Sequence, residues 1–176
     1  LPWREEGRVF NAAMVIRGSE IIASYYKHCL PNYSVFDECR YFSPGEQAEV
    51  FECRGVRIGL SICEDLWRNG PAAKAAQAGA QILVNLNASP FHASKTLLRE
   101  QAVRLRIAES GCPVVYVNQV GGQDELVFDG ESTVYDRSGT ICQRLPLFQE
   151  AIEVVEFALD KPGLPEPLPG QVAKVL

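Results

Sequence analysis

The chain has 176 residues, a formal net charge of −5 and 47% hydrophobic residues. That is enough for one sizeable core, and the acidic balance argues against a nucleic-acid partner. No run of 18 apolar residues and no basic-then-apolar leader occurs, so neither a membrane span nor a signal peptide is expected. The six cysteines contain no C-x-x-C pair, and only His28 and His92 accompany them, so no metal site is expected. Without a secretory signal, reduced thiols and a cytoplasmic protein are the expectation. The opening Leu1-Pro2-Trp3, which lacks Met and reads as mid-loop, is expected of a fragment.

In chain order, residues 9–17 and 20–26 are apolar runs joined by Gly18-Ser19, a hairpin signal. Pro31 and Asn32 mark a loop, residues 35–41 read as a helical turn, and 42–45 as a further turn. A second hairpin pairs 49–53 with 56–62 across Arg54-Gly55. Residues 72–78 predict a short helix closed by Gly79. Residues 81–87 form a near-continuous apolar run, as in a strand buried on both faces.

The clearest helix is 94–110, where Leu97, Leu98, Ala102, Leu105 and Ala108 recur at three and four and predict the buried stripe. Gly111 ends it, residues 112–119 predict another buried strand, and Gly121-Gly122 a break. Short strands follow at 125–128, 132–136, 140–144 and 151–156. Strands alternating with helices indicate a layered α/β domain over residues 1–160. The Pro- and Gly-rich residues 161–176 read as a tail or linker.

The stretch Arg57-Ile58-Gly59-Leu60-Ser61-Ile62-Cys63-Glu64-Asp65-Leu66-Trp67 is a strand that stops at a cysteine. A thiol there suits an exposed nucleophile on a rigid support, and equally a small buried hydrophobe. Further blocks lie at strand ends or in the loops after them: Lys27-His28-Cys29-Leu30-Pro31-Asn32-Tyr33, Phe36-Asp37-Glu38-x-Arg40-Tyr41-Phe42-x-x-Gly45, Asn85-x-Asn87-Ala88-Ser89-Pro90-Phe91-His92 and Val117-Asn118-Gln119-Val120-Gly121-Gly122-Gln123-Asp124-Glu125-Leu126-Val127-Phe128-Asp129-Gly130. In this order the blocks resemble the nitrilase, or carbon–nitrogen hydrolase, superfamily. More closely, they resemble the glutaminase domain of bacterial glutamine-dependent NAD synthetases.

The resemblance implies an αββα sandwich (α/β class) lacking its N-terminal segment, and amide hydrolysis by a Glu–Lys–Cys triad. By motif, Cys63 is the nucleophile and forms a thioester, and Lys27 stabilises the thiolate and the oxyanion. Glu38 matches a supporting glutamate that orients Lys27 or the substrate, with a surface ion pair to Arg40 as its plain alternative. Tyr33, Ser89 and Lys95 match positions that hold L-glutamine, and the Glu64 N–H joins the oxyanion hole. The family's general-base glutamate is expected on a segment ahead of residue 1, and neither Glu5 nor Glu6 fits its motif.

The implied function is therefore glutamine hydrolysis that feeds ammonia to a synthetase domain. ATP and deamido-NAD belong to that domain, since no Ser-Gly-Gly-x-x-Ser loop occurs here, and this chain is expected to need no cofactor. A homo-oligomer is expected. The alternatives are a free-standing ω-amidase-type hydrolase and an inert fragment that lacks the base.

Overall fold

A computed structural model describes residues 1–158 and 165–168. Its main element is a six-stranded sheet in the order β11-β10-β7-β6-β5-β4. These strands are β4 (Val50–Cys53), β5 (Val56–Ile62), β6 (Ile82–Asn87), β7 (Val114–Asn118), β10 (Thr133–Tyr135) and β11 (Ile141–Arg144). β5, β6 and β7 run parallel, joined by crossovers through α1 (Pro71–Gln77) and α2 (Lys95–Ser110). Parallel neighbours need such helical crossovers, and the strand ends that face them are where sites form.

Both helices cover one face of this sheet. Leu66, Ala72, Ala75, Leu83, Val103, Ile107, Val114, Tyr116 and Tyr135 form a continuous buried core there. Val103 and Val114 are wholly buried, each removing side-chain area that stabilises by about 1.5–3 kcal/mol.

A separate three-stranded sheet in the order β1-β2-β3, from Pro2–Glu5, Arg8–Arg17 and Glu20–Tyr26, lies on the other face. Its Ala13 and Tyr25, with Val15, meet Leu60, Ile62, Phe51 and Val84. The cover is partial. Ile62, Leu86 and Val117 are register neighbours on one face, yet Leu86 and Val117 stay 38% and 39% exposed. The expected αββα sandwich is thus present as helix layer, sheet and sheet; among the described residues no helix covers the outer face of the second sheet.

Both predicted hairpins form, and residues 38–40 make the expected turn as a 3₁₀ helix. Several expectations need correction. Residues 2–5 are a strand, because Glu6 and Gly7 both take positive φ (47° and 78°) and reverse the chain in two residues. Gly121-Gly122 do not break the chain: they lie in β8 (Val120–Gln123), which pairs with β9 (Leu126–Asp129). Residues 151–156 form no strand; beyond them, β12 (Phe157–Ala158) pairs with β13 (Glu166–Pro167). That pairing, with Arg137 bonded to Glu166, ties residues 166–167 of the proposed tail back onto the domain. The remainder of the tail lies outside the described residues.

The buried stripe of α2 also differs. Arg99, Ala102, Val103, Arg106 and Ile107 are buried, whereas Leu97, Leu98 and Leu105 are 73%, 46% and 54% exposed and Ala108 is exposed too. The inward face carries two arginines because each finds an acid there: Asp129 for Arg99 and Glu109 for Arg106. A hydrophobicity pattern cannot register that pairing.

Candidate active site

β5 delivers Cys63 to the C-terminal edge of the parallel strands. Leu60 and Ile62 anchor the strand, and the chain then turns through a 3₁₀ helix at Cys63–Leu66. Cys63 itself has φ = 43°. This is the left-handed region, unusual for a non-glycine residue and strained by about 1–3 kcal/mol. Asp65, two residues on and only 1% exposed, holds the turn. Its Oδ2 accepts the Ile62 N–H at 3.0 Å and the Tyr25 hydroxyl at 2.8 Å. Its Oδ1 accepts the N–H groups of His28 at 3.1 Å and Cys29 at 2.8 Å.

Lys27 follows β3 directly and is 2% exposed. Its Nζ donates to Glu38 Oε1 at 2.5 Å, and Asn11 Nδ2 donates to the other oxygen at 3.1 Å. The loop that carries Glu38 is pinned to the same strand end, where the Gly45 N–H donates to the Lys27 carbonyl at 2.8 Å. A Cβ on Gly45 would sit 2.1 Å from the Tyr26 carbonyl oxygen, so only glycine permits this approach. The alternative pairing of Glu38 with Arg40 does not form, since Arg40 meets Asp37 at 3.4 Å instead.

Burial pushes the Cys63 thiol up to about 11. Lys27 and Lys95 oppose that rise, while Glu64 and Glu38 add to it, so all four lie within electrostatic reach of the sulfur. The resting group at neutral pH is the thiol, and forming the thiolate requires a base or a cation brought closer. Glu38 is bonded to Lys27 and Asn11, and Glu64 to the Tyr33 hydroxyl at 2.7 Å and Arg68 at 3.0 Å. Lys95 Nζ sits 5.0 Å above the Trp67 ring, a cation–π arrangement that steadies a long side chain. Tyr33 is half-exposed at the mouth, and its hydroxyl is pushed up to about 12 by burial and by Glu64.

Ser89 lies deeper than a contact residue in an open loop would. It is 2% exposed, its N–H donates to Asn118 Oδ1 at 2.9 Å, and its carbonyl accepts Arg99 Nη2 at 2.9 Å. Arg99 grips Asp129 with both nitrogens of its fork, at 2.6 and 2.8 Å. The β8–β9 ribbon backs this loop, as Phe91 N–H donates to the Val127 carbonyl at 2.7 Å.

The structure thus gathers Cys63, Lys27, Glu38, Glu64, Tyr33 and Lys95 at one place, with Ser89 held beside them. Tyr116 is 2% exposed, and its buried hydroxyl makes no hydrogen bond among the described residues. Sequence reasoning gives no role to Asp65, Arg99, Asn118, Asp129 or Tyr116, although Asn118 and Asp129 stand inside the 117–130 block. Asp65 stood inside the Cys63-Glu64-Asp65 motif and could have been found there. Arg99 reads in sequence as an ordinary solvated position of α2.

A partly buried thiol on a strained turn, beside an ammonium held by a carboxylate, is equipped for nucleophilic attack on a carbonyl with a cation at the developing oxyanion. A mixed sheet that supplies this thiol from the end of a parallel strand defines the class, and the chain belongs to the carbon-nitrogen hydrolase family, which matches residues 1–162. Within it, the chain is 45% identical over 152 residues to the glutamine-dependent NAD(+) synthetase of Aquifex aeolicus, covering 86% of this chain and 27% of that protein. It resembles the structure of the glutamine-dependent NAD+ synthetase of Acinetobacter baumannii in complex with ADP, with a TM-score of 0.85 and 39% identity over 90% of this chain and 30% of that one. It also resembles a Nesterenkonia amidase mutant in which acrylamide has added to the active-site cysteine (TM-score 0.62, 29% identity, 73% of this chain and 49% of that one). The chain therefore spans under a third of the synthetases it matches.

Proposed function

We propose that this chain carries out the amide-hydrolysing half-reaction of a glutamine-dependent NAD synthetase. The observation that carries the reading is the Cys63 thiol at a strand-end turn within reach of Lys27, itself bonded to Glu38 at 2.5 Å. The thiolate attacks the glutamine side-chain carbonyl, and the negative charge moves onto the carbonyl oxygen. Lys27 and the Glu64 N–H stabilise that oxyanion. Collapse breaks the C–N bond, ammonia leaves with a proton, and a thioester remains on Cys63. Water then attacks the thioester, releasing glutamate and the thiol.

Glu38 keeps Lys27 in place. Glu64, joined to Tyr33, suits the substrate's α-ammonium, and Lys95 with Ser89 suits its α-carboxylate. Glu38 and Glu64 are already bonded to other groups, so the thiol's proton goes to the glutamate base that the resemblance assigns ahead of residue 1. ATP and deamido-NAD then react in a synthetase domain outside this sequence, in a cytoplasmic homo-oligomer.

A glutamine-derived chloroketone, followed by mass spectrometry, tests the assignment. Labelling is expected at Cys63, to be abolished by Cys63→Ala and blocked by excess glutamine. Labelling that survives in Cys63→Ala would sink it, and protection by a simple ω-amide but not by glutamine would favour the ω-amidase reading. Rapid glutamine turnover by the 176-residue chain alone would overturn the placement of the base.

A further inference from the structure

Lys27 and Cys63 sit on different sheets. Lys27 follows the last residue of β3 in the three-stranded sheet, and Cys63 follows the last residue of β5 in the six-stranded one. No strand pairing joins these two sheets among the described residues, so no strand ladder sets their relative position. One side chain bridges them at the point that matters. Asp65 accepts the N–H groups of His28 and Cys29, immediately after Lys27, and the N–H of Ile62, immediately before Cys63. The Tyr25 hydroxyl, from β3, completes its coordination. With 1% exposure, the carboxylate meets these donors without competition from water.

We infer that Asp65 is a positioning residue that sets the separation between the Lys27 ammonium and the Cys63 thiol by clamping the two strand ends to a single carboxylate. The inference rests on the roles given above to Cys63 and Lys27, but not on the identity of the substrate. It assigns Asp65 a task distinct from that of its neighbour Glu64, whose side chain turns outward to Tyr33 and Arg68.

The test is the rate at which iodoacetamide alkylates Cys63 at pH 8 in the 176-residue chain, read by mass spectrometry. The exposed Cys39 and Cys53 serve as internal references, and circular dichroism checks folding. Asp65→Asn is expected to slow alkylation of Cys63 about tenfold, equivalent to about one unit in its pKa. The same substitution made in a Lys27→Gln background is expected to add no further slowing. The charged groups that face the thiol, Lys27, Lys95, Glu38 and Glu64, are all retained in the single variant. Loss of the Asp65 charge alone would ease ionisation of the thiol, so slowing cannot arise from that charge.

A merely structural role predicts the opposite result, because loosening the turn exposes the thiol and speeds alkylation in both backgrounds. Faster or unchanged alkylation overturns the inference. If Asp65→Asn does not fold, Tyr25→Phe, which removes one donor from the oxygen that also holds Ile62, carries the test. It must then give a smaller slowing that vanishes without Lys27, and its absence overturns the inference equally. Because no glutamine analogue is used, failure here leaves the proposed substrate standing, and failure to label with the analogue leaves the clamp standing.

Discussion

Among the described residues, two of the ion pairs built on buried cations differ in geometry. Lys27 meets Glu38 through one short contact of 2.5 Å, and Glu38 remains 16% exposed. Arg99 meets Asp129 through a two-pronged contact in which neither side chain exceeds 4% exposure, and the fork also holds the Ser89 carbonyl. An ammonium is a compact charge on a flexible stem that can turn towards a charge appearing nearby, whereas a guanidinium fork is fixed by its planar geometry. On the proposed reading the first pair faces the reacting sulfur, and the second braces a loop. Burial alone does not distinguish a pair that does chemistry from one that bears structure; the number of directions in which the cation is held does.

The sharpest way to break this contrast is Asp129→Ala. It leaves the buried Arg99 with only the longer contact to Glu131 at 4.0 Å, and unfolding in urea is expected to show a loss of about 3–5 kcal/mol. A loss below 1 kcal/mol would mean that the fork is not structural. Next comes Lys27→Gln. On the amide-hydrolase reading, ammonia release from glutamine by the protein carrying this chain is expected to fall about 10²–10³-fold, the effect of losing one oxyanion-stabilising group. Arg99→Lys should have a smaller effect. An ammonium cannot serve Asp129 and the Ser89 carbonyl together, so KM for glutamine is expected to rise about tenfold, the worth of one charge-assisted hydrogen bond, with kcat little changed. A fall in kcat without a change in KM would place Arg99 with Lys27 instead.

The smallest effect concerns the charge cluster that extends the Arg99 pair. Arg144 bridges Glu131 and Glu100, each at 2.5 Å. Burial alone would raise the Glu100 carboxyl, but hydrogen bonds from Arg144 and Arg104 bring it below its ordinary value. A carboxyl depressed in the folded state takes up protons more readily once unfolded. Its contribution is therefore full above the unfolded value, about 4.3, and fades as pH falls through the folded one. Glu100→Gln is expected to flatten the acid limb of a stability–pH curve and to leave hydrolysis untouched.

The sequence revealed the Cys63 turn, the Lys27 strand end and the Glu38 loop because each carries its signal locally, in a strand stop, a Pro-Asn loop or a glycine. It also revealed both hairpins and the alternation that defines the class. The buried face of α2 is not legible from hydrophobicity because its arginines go inward to acids, Arg99 to Asp129 across 30 residues and Arg106 to Glu109 one turn on. The depth of Ser89 was hidden for the same reason, since Asn118 and Asp129 reach it only through the sheet. Residues 2–5 were missed because the turn at Glu6-Gly7 depends on a non-glycine residue adopting φ = 47°.

Cys63 pairs reactivity with a backbone angle of 43° that favours glycine. A Cys63→Gly chain would shed that strain along with its nucleophile. Selection for heat resistance alone would therefore enrich the chemically silent form, and the thiol endures at this position only while a reaction demands it.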